Sequence, residues 1–277
     1  MRDVTEATAT EAVVGKLAGC ENARLKQVMT SFVRHLHAFV REIEPTQAEW
    51  FTAIKFLTDT GHMCDDKRQE FILLSDTLGV STLVELINNR KSPGMTETSV
   101  LGPFWVEGAP HLPLGASIVK DGTAADLLVH GRVHDAEGRP IAAAVLDVWQ
   151  TAPNGMYDVQ DPNQPAMNLR GKFTTGSDGR FDFQTIMPTP YPIPHDGPVG
   201  ALLTATGRHP WRPAHLHFII SAPGYRLLTT ALYFEGDPYV DSDAVFGVKS
   251  DLVVRPSPRS DAAGSEVRYD FGLERAE

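Results

Sequence analysis

Cysteine is scarce, positive charge is in deficit and long hydrophobic runs are missing, and each shortage narrows what this chain can be. Two cysteines in 277 residues, Cys20 and Cys64, cannot build a disulfide framework or a thiolate metal cluster, which fits a reducing cytoplasm. Lysine and arginine number 25 against 35 acidic residues, a formal charge of -10. No basic stripe is on hand to neutralise phosphates, so a nucleic-acid partner is not expected. No stretch approaches the roughly 20 apolar residues that cross a bilayer. The opening Met-Arg-Asp-Val-Thr-Glu has neither an apolar segment nor a small-residue cleavage site, so membrane insertion and secretion are not expected. What the chain does have is 42% hydrophobic content, enough for a core at this length.

That content follows two rhythms, which change near Pro93-Gly94. Before this point Leu25, Val28, Met29, Phe32, Val33, Leu36, Phe39 and Val40 recur at helical spacing, and the pattern stops at Pro45. Thr46-Gln-Ala-Glu49 is a capping box that opens a second helix bearing Phe51, Ile54 and Leu57. A third apolar segment runs from Phe71 through Gly79 to Ile87. Residues 1–95 therefore read as a helical region with one oily face, to be covered by the chain's own body or by a second copy.

After Pro93 the period falls to two, with turn residues at short intervals. The expected strands are Leu127 to His134, Ala144 to Gln150, Phe173 to Thr175, Phe181 to Ile186, Leu216 to Ser221, Leu228 to Phe234, Leu252 to Val254 and Val267 to Phe271. The Ser177-Asp-Gly179 and Pro223-Gly224 turns are each expected to close a hairpin. Many short strands without alternating helices predict a mainly β fold with added α: an antiparallel β-sandwich over residues 96–277 behind the N-terminal helices.

Within the sandwich, His215 and His217 lie two apart in Arg212-Pro-Ala-His-Leu-His-Phe-Ile-Ile-Ser221. On a strand such residues share a face, so both imidazoles can meet one metal ion. Two ligands do not suffice, and the further candidates are phenols. Tyr157 follows the Asn154-Gly155 turn at a strand end, and Tyr191 sits in Pro188-Thr-Pro-Tyr-Pro-Ile-Pro194, where prolines stiffen the backbone. Two phenolates with two imidazoles suit Fe(III) better than zinc. Each residue also has a plainer reading, as a structural histidine pair, a strand-end aromatic and a rim residue. Asp237 and Asp241 are possible carboxylate ligands, although Gly236-Asp-Pro238 reads first as a turn.

The order Tyr157, Tyr191, Arg212-Pro-Ala-His215-Leu-His217 closely resembles the intradiol ring-cleavage dioxygenases, Fe(III) enzymes that open catechols between their two hydroxyls. Leu101-Gly-Pro-Phe104, Asp147-Val-Trp-Gln150, Gly155-Met-Tyr157, Leu169-Arg-Gly171, Thr175-Gly-Ser-Asp-Gly179, Pro190-Tyr-Pro-Ile-Pro-His-Asp-Gly-Pro198 and Gly207-Arg-His-Pro-Trp-Arg212 extend the resemblance along most of the chain. It implies Tyr157, Tyr191, His215 and His217 as iron ligands, with Tyr191 and His217 axial and Tyr157 and His215 equatorial. Tyr191 would act as a base and Arg212 would stabilise negative charge on the activated ring. It also implies a homodimer through the N-terminal helices, around a hydrophobic tunnel that holds a phospholipid in some members.

Within the family, Leu73 and Asp76 resemble the pocket segment of enzymes acting on hydroxyquinol, benzene-1,2,4-triol, and a carboxylate can accept a hydrogen bond from the extra ring hydroxyl. Val100, Leu101, Gly102, Pro103, Phe104, Ile193, Pro194, Arg212 and Val245 complete the implied pocket. The implied reaction is cleavage by O2 to 3-hydroxy-cis,cis-muconate, the tautomer of maleylacetate; catechol or chlorocatechol is the alternative substrate. One departure is Ala231, where catechol-type members carry glutamine. Two rivals remain: a ligand-binding sandwich without chemistry, which needs none of the four ligands, and a cupin-like ferrous dioxygenase. The second wants a further histidine, and none follows His217.

Overall fold

The apolar stripe between Leu25 and Val40 forms one long helix, α2 (Ala23–Ile43), whose first turn is capped by Asn22 accepting from Leu25 N at 2.9 Å. The structure, a computed structural model, describes residues 3–66, 68–260 and 262–276 and divides between Asp59 and Thr60 into two compact units. The first unit also holds α1 (Ala9–Gly15), which has no clear periodic signal in the sequence, and most of α3 (Gln47–His62). The capping box forms as expected: Thr46 N donates to Glu49 Oε2 at 2.8 Å, and Glu49 N donates back to Thr46 Oγ1 at 3.3 Å. α1 is stitched to the polar side of α2 by Arg34–Glu11, by Arg41 on Thr10 and by His37 with Thr10. The opposite face of α2 stays exposed, and Val33 is its one buried residue.

The second unit opens with α4 (Glu70–Thr77) and α5 (Val80–Asn88), separated by Gly79 at φ 72°. Its strands are β1 (Leu127–His134), β2 (Val145–Trp149), β3 (Arg170–Thr174), β4 (Arg180–Thr185), β5 (Tyr191–Pro192) and β6 (Trp211–Arg212). Then come β7 (His215–Ser221), β8 (Leu228–Phe234), β9 (Val253–Val254), β10 (Ser257–Pro258), β11 (Ser265–Arg268) and β12 (Phe271–Gly272). One sheet has the order β10-β11-β1-β12 with β4 also on β1; the other runs β3-β2-β7-β8-β9; β5 and β6 form a small ribbon.

The sandwich stands, with corrections of pairing. It is mixed rather than strictly antiparallel: β1 pairs parallel with β11 and β12, and β8 with β9, each across a long return of the chain. β3 and β4 do not form the expected hairpin. The Ser177–Gly179 turn carries the chain from β2's sheet to β1's, so one strand lies in each layer. The expected strand from Val267 to Phe271 splits because Arg132 N donates to the Asp270 side chain instead of to a ladder carbonyl. A helix also appears among the strands, α6 (Pro198–Ala205), with proline at its start and Glu70 Oε1 accepting from Val199 N at 3.2 Å.

Between the layers lies the core, built by alternation. Leu216, Phe218 and Ile220 of β7, Leu146 and Val148 of β2 and Leu228, Leu232 and Phe234 of β8 meet Val129, Phe181, Phe183 and Val267 of the other sheet. Strand period then fixes what faces away from that core. His215, His217 and Ile219 project from the opposite side of β7, beside Tyr233 and Ala231 of β8 and Trp149 of β2.

Candidate metal centre and pocket

The four ligand candidates converge. Tyr157 comes from the loop after β2, several residues past the strand end rather than at it. Tyr191 comes from β5, whose partner in register is Arg212 of β6, so the proline-rich segment and the arginine are held together by backbone pairing. The Tyr157 and Tyr191 hydroxyls are 3.2 Å apart, Tyr191 Oη is 3.4 Å from His215 Nε2, and the two histidine Nε2 atoms are 3.0 Å apart. None of the four is more than 6% exposed.

The proton inventory of this cluster favours a cation. His215 Nδ1 donates to the Pro213 carbonyl at 2.7 Å, which leaves its Nε2 as an acceptor when the ring is neutral, with Arg212 Nη1 at 3.3 Å. Burial, then the nearby Arg212, pushes the His215 pKa down to about 3, so neutral it is. Burial, with His215 and Arg212 adding to it, also drives His217 well below its usual range. His217 Nδ1 is buried without a partner among the described residues. Two neutral imidazoles thus aim their Nε2 atoms at one another at 3.0 Å. Spacings of 3.0–3.4 Å are the edge lengths expected around an ion bonded at about 2.1 Å. Without an ion, burial and then the neighbouring Tyr191 hold the Tyr157 phenol well above its ordinary pKa; a metal reverses that by binding the phenolate. Among the described residues no three His, Cys, Asp or Glu side chains form a metal-binding group, so the donors available are phenols and imidazoles, the set that fits Fe(III).

Aromatic packing fixes these donors. The Trp149 ring stacks on His217 at 4.8 Å and 4°, a cross-strand pair, and Phe104 stacks on Tyr157 at 4.7 Å. Gly102, at φ 73°, brings the backbone so close that a Cβ there would lie 3.6 Å from His217 Nε2. Within this segment Gly102 and Phe104 adjoin the cluster, while Leu101 and Pro103 are exposed.

Beside the cluster is a small apolar group of Ile193, Leu203, Ala244 and Val245, with Leu73 and Val100 packed on it and Pro194 half-buried next in sequence. The structure therefore brings together Leu73, Val100, Ile193 and Val245 from distant parts of the chain. Asp76, one helical turn from Leu73 on α4, is half-buried; burial raises its pKa, the Ser81 hydrogen bond and Arg212 oppose the rise, and Asp243 adds to it. Arg212 is buried with Nη1 3.3 Å from His215 Nε2, and Nε donates to Asp243 Oδ1 at 3.1 Å. Asp237 accepts from Ala214 N and Tyr239 N, the turn role expected of it. Ala231 is fully buried in register with His217, which places the departure from glutamine beside the cluster.

Trp149, Tyr233 and Asp243 were not singled out by the sequence. Trp149 and Tyr233 follow from register alone, opposite His217 and His215, and a buried arginine requires a carboxylate such as Asp243.

The fold is that of a ring-cleaving dioxygenase. Residues 100–275 match the family described as Dioxygenase and residues 22–96 match Catechol dioxygenase N terminus, and the chain belongs to the intradiol ring-cleavage dioxygenase family. It is an enzyme of that family, whose members generally depend on non-haem iron. It is 54% identical over 253 residues to a 6-chlorohydroxyquinol 1,2-dioxygenase of Cupriavidus pinatubonensis, covering 91% of this chain and 92% of the relative. A hydroxyquinol 1,2-dioxygenase of a Rhizobium species is 53% identical over 282 residues, covering 98% and 96%. The solved structure of hydroxyquinol 1,2-dioxygenase from Pseudomonas putida DLL-E4 superposes with a TM-score of 0.94 at 52% identity, covering 98% of this chain and 99% of that one. Among the described residues no helix is long and apolar enough to cross a membrane.

Proposed function

We propose that this enzyme cleaves hydroxyquinol with O2 between its adjacent hydroxyls, giving 3-hydroxy-cis,cis-muconate or its tautomer maleylacetate. The observation that carries the reading is Asp76, a half-buried carboxylate on the helix whose Leu73 packs against Val245 and Ile193. It is an acceptor suited to a hydroxyl that catechol lacks. Relatives named for hydroxyquinol and 6-chlorohydroxyquinol support it.

Tyr157, Tyr191, His215 and His217 would hold the iron. When bound, Fe(III) supplies Lewis acidity that lowers the pKa of coordinated hydroxyls and favours the doubly deprotonated diol. Tyr191 Oη, between Tyr157 Oη and His215 Nε2, is the base that takes one of the diol's protons. His215 stays neutral, pinned through Nδ1 to Pro213 O. Arg212 presents a fixed cation to negative charge that develops on the ring. The apolar group around Val245 and Ile193 holds the ring and excludes water.

Residues 1–95 would supply the dimer-forming helices and residues 96–277 the catalytic sandwich. The support is the outward apolar face of α2 and α3, with Leu25, Phe32, Leu36, Phe39, Phe51 and Ile54 each more than 40% exposed. A second copy is the occupant this reading favours, with a lipid chain held between the copies. A cytoplasmic setting fits the two free thiols.

Oxygen uptake by the iron-loaded enzyme tests the substrate assignment: kcat/KM for hydroxyquinol should exceed that for catechol and chlorocatechols. A preference for catechol would overturn it and leave the family membership standing.

A further inference from the structure

One charged pair beside the cluster does more than the ring-opening reading asks of it. Arg212 and Asp243 are 3% and 6% exposed, and two contacts join them, Nε to Oδ1 at 3.1 Å and Nη2 to Oδ2 at 3.2 Å. A fork of this kind fixes the plane of the guanidinium as well as its charge. The same carboxylate organises a loop: Oδ1 accepts from Val245 N at 3.3 Å and Oδ2 from Gly247 N at 2.9 Å. There is no room for a side chain at Gly247, where a Cβ would stand 2.7 Å from Tyr233 Oη and 2.9 Å from Arg212 Nη2. Outward, Thr82 Oγ1 donates to the Val245 carbonyl at 2.9 Å and Ser99 Oγ to the Gly247 carbonyl at 3.0 Å. Asp243 therefore sets the arginine and the Val245 loop in one frame.

A second carboxylate stands within electrostatic reach. Asp76 is attracted by Arg212 and repelled by Asp243, and its α4 neighbour Leu73 packs against the apolar group that contains Ala244 and Val245. With two carboxylates in electrostatic reach, the guanidinium is held by the one that offers it a fork. Here that is Asp243, and the choice leaves Arg212 Nη1 3.3 Å from His215 Nε2.

We propose that Asp243 is a positioning residue: it keeps Arg212 beside the His215–His217 cluster and away from Asp76, so that Asp76 remains free to accept a hydrogen bond from a ring hydroxyl. The part concerning Asp76 and the ring rests on the hydroxyquinol reading; the part concerning Arg212 does not. Without Asp243, Arg212 would pair with Asp76, and both the cation and the acceptor would be lost to the substrate.

The test compares Asp243→Asn, Asp76→Asn and the double variant as full-length, iron-loaded enzymes. Catechol and hydroxyquinol turnover are measured, with iron content and the tyrosinate-to-iron absorbance as checks on the cluster. Asp243→Asn should keep iron and colour and lower kcat for catechol about a hundredfold, the low end of the loss seen when one preorganised donor to a developing charge is removed. Adding Asp76→Asn should recover catechol kcat at least about fivefold, because the competing acid is gone and the bound diolate becomes the partner of Arg212. A double variant no faster on catechol than Asp243→Asn overturns the proposal, since a merely structural carboxylate gains nothing from a second substitution. If Asp243→Asn does not hold iron, Asp243→Glu is compared with and without Asp76→Asn, and the same recovery or its failure decides. Asp76→Asn alone should raise KM for hydroxyquinol; an unchanged KM defeats the hydroxyquinol reading, while the catechol recovery still decides the role of Asp243.

Discussion

Two regions of this chain use the same residue types in opposite ways. Up to Asp59, apolar side chains stand outward: Phe32 is 56% and Phe51 63% exposed, while polar contacts such as Arg34–Glu11 and Arg41–Thr10 hold α1 to α2. In the sandwich the arrangement inverts, with Phe218 and Phe183 fully buried and Tyr157, His215, His217 and Arg212 hidden with them. Each region lacks something different. An outward apolar face lacks a surface to cover it, a deficit that grows with area. A buried cluster of imidazoles and phenols offers donor atoms that one metal ion can gather, so its demand is for a single charge and not for area.

The largest effect should come from breaking the second region at its cluster. His217→Ala removes one Nε2 and the ring that stacks on Trp149. Bound iron should fall severalfold, the red-brown absorbance should fade, and turnover should drop by more than about a thousandfold. Full turnover with a normal iron content would remove His217 from the ligand set. Chelation of the native enzyme should give the same loss and, unlike the variant, be reversed by ferric iron.

Next in size is a paired substitution that sets the regions side by side. Phe218→Ala opens a cavity in the sandwich core and should lower stability by about 3–5 kcal/mol. Phe32→Ala, at an exposed position, should cost a single chain less than about 0.5 kcal/mol. If a second copy covers the α2 face, Phe32→Glu should shift the protein from dimer to monomer in sedimentation while iron content stays normal. A dimer unaffected by charge at Phe32 would move the interface elsewhere.

The histidine pair, the sandwich layers and the two long helices were legible in the sequence because each follows from a period: two for His215 and His217, 3.6 for Leu25 to Val40. The assignment of strands to sheets was not. Ser177–Gly179 has the chemistry of a hairpin turn, yet β3 and β4 lie in different layers, since a tight turn fixes only its own backbone and not which neighbour each strand meets. α1 and α6 were missed because 7 or 8 residues carry too little periodicity. Tyr157 and Tyr191 were found as residue types in stiff settings, but their 3.2 Å approach depends on β5 pairing with β6. Asp243 had no pattern of its own in the sequence; it is the burial of Arg212 that gives it a role.

A pH profile sharpens the comparison within the second region. Burial raises the Asp76 pKa from its ordinary value, so folding favours its neutral form, and any stability it contributes is lost as pH rises through that raised value. As an acceptor for the third hydroxyl it must be ionised. On the acid side, kcat/KM for hydroxyquinol should therefore fall by up to about tenfold per pH unit below the raised value, and the fall should be absent with Asp76→Asn or with catechol. Identical acid limbs for both substrates would exclude Asp76 as the group that reads the extra hydroxyl.

The smallest expected effect belongs to the helices and asks whether the two regions answer to separate forces. Thr46 and Glu49 satisfy each other's backbone N–H groups at the start of α3, so Thr46→Ala should weaken that helix start by about 1 kcal/mol. Amide exchange over the first turns of α3 should quicken about fivefold, the population change that energy brings. Iron content and the tyrosinate absorbance should not move, because all four donors are set by β5, β7 and the loop after β2. A fall in colour with Thr46→Ala would mean that the helical region contributes to holding the donors in place, and the contrast between an outward apolar face and an inward polar cluster would then describe one cooperative structure instead of two.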